Sequence, residues 1–258
     1  MIILAFLSIV FYLLSLYRGF LIYPGFLMQA AYMLMRGIQL ERLPLVGPHD
    51  TLFFLSSSIV AFAIPFAIAM KLTPAGLENP PIPPLPKGGE GGFRKRFMDS
   101  VVIMASAFAL FSFFAKPHNM PLPPVLKTYW FELHVSLSFF SYALFGIAAV
   151  LGFLFLRYKE QEIEAFQYKA ILLGYCMFSL SMIFGGIWAY LAWGTYWLWT
   201  PKELWTTILW IFYSLYLHAR LKKEWMGKPS VILGIIGFGI TLFTYLGVSL
   251  LMKSSHTF

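Results

Sequence analysis

The chain has 258 residues, of which 59% are hydrophobic and only 12% are charged. Soluble domains carry about 25% charged residues, so this composition excludes an ordinary soluble globule and a disordered chain. The formal net charge is +8, and Cys176 is the single cysteine, which excludes an intramolecular disulfide and a Cys-x-x-Cys motif. The composition therefore favours a polytopic membrane protein.

Eight apolar segments approach or exceed the length of about 20 residues that a membrane-spanning helix needs. In chain order they cover residues 1–17, 20–35, 50–70, 98–115, 131–156, 169–190, 204–220 and 230–252. The sequence therefore predicts an all-α fold, a polytopic integral membrane helix bundle of about eight transmembrane helices. We interpret residues 1–258 as a single membrane domain.

The distribution of charge predicts the orientation of the bundle. With the N-terminus outside, thirteen of the nineteen Lys and Arg residues fall on the inner side, as the positive-inside rule requires. Arg18 follows the first segment and no basic residue precedes it, a polarity opposite to that of a secretory signal. We expect a retained first helix and both termini on the outer side. Residues 73–92, rich in Pro and Gly, are predicted to form a flexible inner linker.

The five histidines divide between the two sides of this topology. His49, His118, His134 and His256 fall on the outer side, and His218 falls near the inner side. A single histidine on a helix is usually structural, but polar residues inside a span are costly and are often functional. His134 and His218 are therefore the stronger candidates.

The segment of residues 185–210 contains six of the eight tryptophans, namely Trp188, Trp193, Trp197, Trp199, Trp205 and Trp210. Pro201 and the pair Lys202–Glu203 interrupt the apolar run, which places the segment at the outer interface between two spans. Aromatic belts form at this depth but are spread over all helices, whereas here the tryptophans are concentrated. This density favours a flat apolar surface for a planar ligand such as a porphyrin, whose iron takes axial histidines.

The run WGTYWLWTPKELW resembles the tryptophan-rich WWD signature, W-G-x-x-W-x-W-D-P-K-E-x-W, of membrane proteins that handle haem. The matching residues are Trp193, Gly194, Trp197, Trp199, Pro201, Lys202, Glu203 and Trp205, whereas Thr200 stands where the signature has aspartate. The stretches YWFELHVSLSFFSYAL around His134 and ILWIFYSLYLHARL around His218 are similar to the CcsA (ResC) branch of that family. The resemblance covers residues 125–258 well and the first 120 only in general layout.

The resemblance implies a subunit of the System II cytochrome c synthase that works with a CcsB (ResB) partner in the cytoplasmic or thylakoid membrane. Such a subunit carries b-type haem across the membrane, holds it non-covalently and presents it on the outer face to Cys-x-x-Cys-His apocytochromes. It also implies that His134 and His256 are the axial ligands of an outer haem and that His218 marks an inner haem position. Within the outer segment 188–205, the implied haem-contacting residues are Trp188, Trp193, Gly194, Trp197, Trp199, Pro201 and Trp205.

Three other interpretations remain open at the level of sequence. The short chain and Thr200 favour a HemX-like membrane protein that affects haem synthesis. A haem-bearing anchor subunit of a respiratory complex is the second alternative, although such subunits usually pair histidines within spans at matching depth. The third is a transporter of another ligand, which the sequence does not identify.

Overall fold

The structure is a computed structural model that describes residues 2–72 and 89–251. The described chain forms eight α-helices: α1 Ile2–Ser15, α2 Ile22–Leu40, α3 Pro48–Leu72, α4 Gly89–Ser112, α5 Tyr129–Tyr158, α6 Gln161–Trp193, α7 Pro201–Ala219 and α8 Lys228–Leu242. Helix α8 continues through a π-helical stretch, Phe243–Gly247, into a last turn, Val248–Leu251. Each predicted segment corresponds to one of these helices, so the predicted all-α helix bundle is confirmed.

Two sequence predictions fall wholly or partly outside the described residues. His256 is one of them, and residues 73–88 of the predicted linker are the other. Residues 89–92 of that linker instead form the first turn of α4. Three of these four residues are glycines, which disfavour a helix by about 1 kcal/mol each, but they only extend a helix whose costly nucleation the following apolar residues supply.

Four helices of the described chain are long and apolar enough to cross a membrane: Pro48–Met70, Tyr129–Tyr158, Glu162–Trp193 and Lys228–Leu251. Helix α1 is apolar but shorter. Helix α2 is more polar, and its Gln29 and Arg36 side chains are buried against the protein. Gln29 accepts a hydrogen bond from the Tyr12 hydroxyl, and its amide donates to the Ser56 hydroxyl at 3.0 Å. The polar cluster around Gln29 is therefore satisfied within the protein, as a lipid environment demands.

Contacts between helix ends sort the loops onto two faces of the bundle. On one face, Arg36 near the end of α2 forms an ion pair with Asp50 at the start of α3 and donates to Asn119, just beyond α4. On the other face, Arg220 after α7 forms an ion pair with Glu164 at the start of α6. Successive helices thus run in alternating directions. We call the first face the cavity face and the second the opposite face.

Helix α5 forms the centre of the bundle and contacts α3, α4, α6 and α8. Its buried residues run along most of its length, from Phe131 to Phe155. Small residues allow the closest contacts, as at Gly146, where an added Cβ would lie 3.2 Å from the Phe238 ring of α8. This packing fixes the first turns of α5, and hence His134, at the cavity face.

Candidate functional site

A cavity of about 390 Å³ lies at the cavity face between α3, α5, α6, α7 and the end of α8. Its walls are mainly apolar and aromatic: Val46, Phe131, Val135, Phe139, Tyr142, Phe178, Met182, Trp188, Trp193, Tyr196, Trp197, Tyr245 and Leu246. A few polar side chains also line it: Thr51, His134, Ser138, Lys202, Glu203, Thr206 and Ser249. An apolar cleft with few polar groups is the usual form of a small-molecule site.

His134, in the second turn of α5, is held against α6 by backbone and hydroxyl contacts. Its Nδ1 lies 2.8 Å from the carbonyl oxygen of Ser181. A carbonyl can only accept, so Nδ1 carries the proton and Nε2 of the neutral ring keeps its lone pair. The Ser138 and Ser181 hydroxyls lie 2.6 Å from each other and 2.8 and 2.9 Å from the carbonyl oxygen of His134, so one hydroxyl donates to the carbonyl and the other to its neighbouring hydroxyl or to the same carbonyl. The Nδ1 bond to the Ser181 carbonyl orients the ring. This is the arrangement by which proteins fix the tautomer of a metal-ligating histidine.

Gly185 makes the close approach of His134 to α6 possible. A Cβ on Gly185 would lie 2.6 Å from Nδ1 and 2.8 Å from Cε1 of His134, which is closer than real contacts allow. Ser181 and Gly185 are four residues apart on α6 and therefore share one helix face. The spacing places both residues on one face of α6, but only the packing of α5 against α6 shows that this face contacts His134.

Three of the predicted tryptophans line the cavity, and their indole rings do not share one plane. Trp188 is buried, donates from Nε1 to the carbonyl of Val125 at 2.8 Å and stacks on His134 with an interplanar angle of 10°. Trp193 packs edge-on against Trp188, with ring centroids 4.8 Å apart. Trp197 lines the cavity from the turn that follows α6. Trp188 and Trp193 therefore meet at a steep angle of 68° and do not form one flat surface.

The other predicted residues of the segment shape the turn between α6 and α7. Gly194 caps α6 with φ of +74°, a conformation that glycine adopts without strain. Trp199, 68% exposed, has φ of +56°, which is rare for a bulky side chain. Pro201 occupies the first turn of α7, and Trp205 packs against Phe243 with ring centroids 4.5 Å apart. These four residues are not among those that line the cavity.

Thr200, which stands at the signature aspartate, is the N-cap of α7. Its hydroxyl accepts from the backbone N–H of Glu203, and the Glu203 carboxylate accepts from the backbone N–H groups of Thr200 and Leu198 at 3.0 and 2.9 Å. The two residues form a capping box. Asp and Thr are both preferred N-cap residues, so the threonine can perform the capping function of the aspartate.

The remaining described histidines lie outside the cavity. His49 is buried with both ring nitrogens bonded, to the Tyr32 hydroxyl and the Ser112 carbonyl. His118 follows α4, where its carbonyl oxygen accepts from Arg36 and Arg42. His218 lies near the other end of α7, sixteen residues after Lys202, which is about 24 Å along a helix.

The side chain of His218 is exposed, and its Nδ1 donates to the Ser214 carbonyl at 2.7 Å. Its Nε2 is therefore available as a ligand, as it is in His134. His134 at the start of α5 and His218 near the end of α7 thus carry a free Nε2 at opposite faces of the bundle.

The π-helical stretch contributes a cavity residue that the sequence did not indicate. Tyr245 lies within this stretch, lines the cavity and hydrogen-bonds through its hydroxyl to Thr51 on α3 at 2.7 Å. Short π-helical insertions often occur at functional sites because they shift the side chains that follow. No motif in the sequence marks the stretch.

Comparison with known proteins supports the relationship suggested by the tryptophan-rich segment. Residues 82–256 match the model of the family described as cytochrome C assembly protein. Among curated relatives, the cytochrome c biogenesis protein CcsA of Chlamydomonas reinhardtii is 35% identical over 173 residues, covering 60% of this chain and 48% of that protein.

Two further CcsA proteins give a similar result. That of Mesostigma viride is 32% identical over 196 residues, covering 61% of this chain and 64% of that protein. That of Prochlorococcus marinus strain NATL1A is 29% identical over 216 residues, covering 66% of this chain and 69% of that protein. The matches thus span about half to two thirds of the length of these relatives. The chain belongs to the cytochrome c assembly protein family and is of the CcsA type.

Proposed function

We propose that this chain is the haem-handling membrane subunit of a cytochrome c synthase. It moves haem across the membrane and presents it at the cavity for thioether attachment to Cys-x-x-Cys-His apocytochromes. The observation that carries the proposal is His134, which lines an aromatic cavity and keeps Nε2 free because Nδ1 is bound to the Ser181 carbonyl. An apolar macrocycle with a central iron requires both features.

The residues of the cavity fit haem as a cargo. Neutral imidazole is a good iron ligand, and the aromatic walls match an apolar macrocycle. We assign the second axial position to His256, six residues after Leu250, which itself lines the cavity. Haem held by two histidines and an aromatic wall needs no covalent bond to this chain, so it can be released to an acceptor.

The main contribution of this chain to thioether formation is to position the haem. Each thioether forms when the S–H of an apocytochrome thiol adds across a haem vinyl group, and no group leaves. The protein holds the macrocycle in one orientation while the apocytochrome approaches, so that vinyl carbons and sulfurs meet. Holding two reactants in reactive geometry supplies several kcal/mol of the barrier reduction in favourable cases.

We assign His218 to a second haem position on the opposite face, which we place on the inner side of the membrane. Its distance from the cavity prevents it from sharing an iron with His134. Its side chain is exposed on this chain, so the opposing axial ligand must come from another protein. A CcsB-type (ResB) partner subunit is the candidate for that ligand.

Removing the outer ligand tests the proposal. We expect His134→Gly and His256→Gly each to abolish cytochrome c maturation in cells, and imidazole in the medium to restore part of it. A small imidazole can occupy the site of the missing ring and bind the iron. His118→Gly is the matched control, since His118 lies on the same face outside the cavity. Normal maturation in His134→Gly, or a haem spectrum that the substitution leaves unchanged, would contradict the proposal.

A further inference from the structure

Lys202 places a positive charge in the cavity, in the first turn of α7 after Pro201. Its side chain is half-buried, and among residues 2–72 and 89–251 its Nζ has one hydrogen-bond partner, the Ser249 hydroxyl at 3.5 Å. An ammonium group has three hydrogen-bond donors. Within the described chain, one long contact to a neutral hydroxyl leaves most of this donor capacity unused.

No carboxylate forms an ion pair with Lys202 among the side chains that the structure describes. The neighbouring Glu203 is already engaged, because one of its carboxylate oxygens accepts from two backbone N–H groups of the preceding turn. Lys202 also lies at the N-terminus of a helix, where the helix dipole favours negative rather than positive charge. The charge is thus partly withdrawn from water at a position where the local field opposes it.

The geometry points to Lys202 as the residue that binds a carboxylate of the cavity's ligand and fixes the orientation of that ligand. This inference rests on the proposed function. Haem carries two propionates on one edge of the macrocycle and its vinyl groups away from them. His134 fixes the iron but permits rotation about the iron–nitrogen bond. An ion pair at the rim selects one rotation and holds the vinyl groups away from Lys202, where thiols can reach them.

Esterified haem provides a direct test, because its iron and vinyl groups are the same and only the negative charges are lost. The purified full chain in phosphatidylcholine nanodiscs is titrated with haem b and with haem b dimethyl ester, and binding is followed by the Soret absorbance. We expect the unmodified chain to bind the free acid about tenfold more tightly, the effect of one charge-assisted contact. Lys202→Gln should reduce this preference to about one, mainly by weakening binding of the free acid.

Three further variants separate the possible outcomes. Lys202→Arg keeps the positive charge and should keep the preference for the free acid over the ester. A kept preference shows that its loss in Lys202→Gln comes from the missing charge and not from a folding defect. Lys127→Gln removes an exposed charge outside the cavity and should leave both affinities unchanged. His134→Gly should weaken both ligands equally, since it removes the iron ligand. A preference that persists in Lys202→Gln overturns the inference while leaving the proposed function intact, whereas failure of the unmodified chain to bind either ligand overturns both.

Discussion

Thr200 shows how one residue can replace another by performing the same local task. Its hydroxyl caps α7 and, with Glu203, satisfies backbone N–H groups that the helix cannot pair internally. We expect Thr200→Ala to lower the free energy of unfolding by about 1 kcal/mol and Thr200→Asp to retain it. Thermal unfolding of the purified variants in detergent measures this difference. If the alanine and aspartate variants are equally destabilised, the position has a function other than capping.

Gly185 determines whether the His134 ring can reach its carbonyl partner on α6. Gly185→Ala would place a methyl group 2.6 Å from Nδ1, so we expect the ring to be displaced at a cost of about 1–3 kcal/mol. Haem content of the purified protein should fall, as in His134→Gly. The matched control is Gly186→Ala, whose added Cβ would have its nearest neighbour at 3.7 Å. Equal haem content in the two variants would show that this contact does not position the histidine.

At the scale of elements, α7 joins the two predicted haem positions. Its exposed residues Leu204, Ile208, Ile211 and Leu215 repeat every three or four positions, and His218 continues this stripe. Such a stripe is one face of a helix. An apolar face that ends in a histidine with a free Nε2 is consistent with coverage by a partner helix that supplies the opposing ligand.

Substitutions on this exposed stripe of α7 test the proposed inner haem position. We expect His218→Ala to lower the haem content of the complex with the CcsB-type partner, and imidazole to restore part of it. Leu215→Ala, one turn earlier on the same stripe, should leave haem content unchanged because it removes packing and no ligand. Unchanged haem in the His218 variant would indicate that this histidine has only a structural role.

At the scale of the whole molecule, the loops lie on two opposite faces of the bundle. The orientation of the protein in the membrane can therefore be tested. We expect the cavity face to be the outer face, because the thirteen basic residues of the other side obey the positive-inside rule. In a Cys176→Ala background, a membrane-impermeant maleimide should label Thr195→Cys and Ser254→Cys in intact cells. Lys222→Cys, on the opposite face, should react only after permeabilisation. The reverse pattern would invert the proposed orientation.

The helices and the family were predictable from the sequence because their signals are local. The length of each apolar run indicates a span, and the spacing of Trp193, Trp197 and Trp199 before Pro201 forms a signature within thirteen residues. His134 was identified as a candidate because a polar group within a span is costly. Each of these inferences needs only neighbouring positions in the chain.

The contacts that form the site could be identified only from the tertiary structure, because they join residues that are far apart in the chain. His134 and Ser181 are 47 positions apart, and Thr51 and Tyr245 are 194 positions apart. Packing decided which nitrogen of His134 is free and that Lys202 faces a cavity without a carboxylate partner in the described chain. Sequence patterns specify which surfaces are apolar, but only the packed helices determine which polar atoms meet.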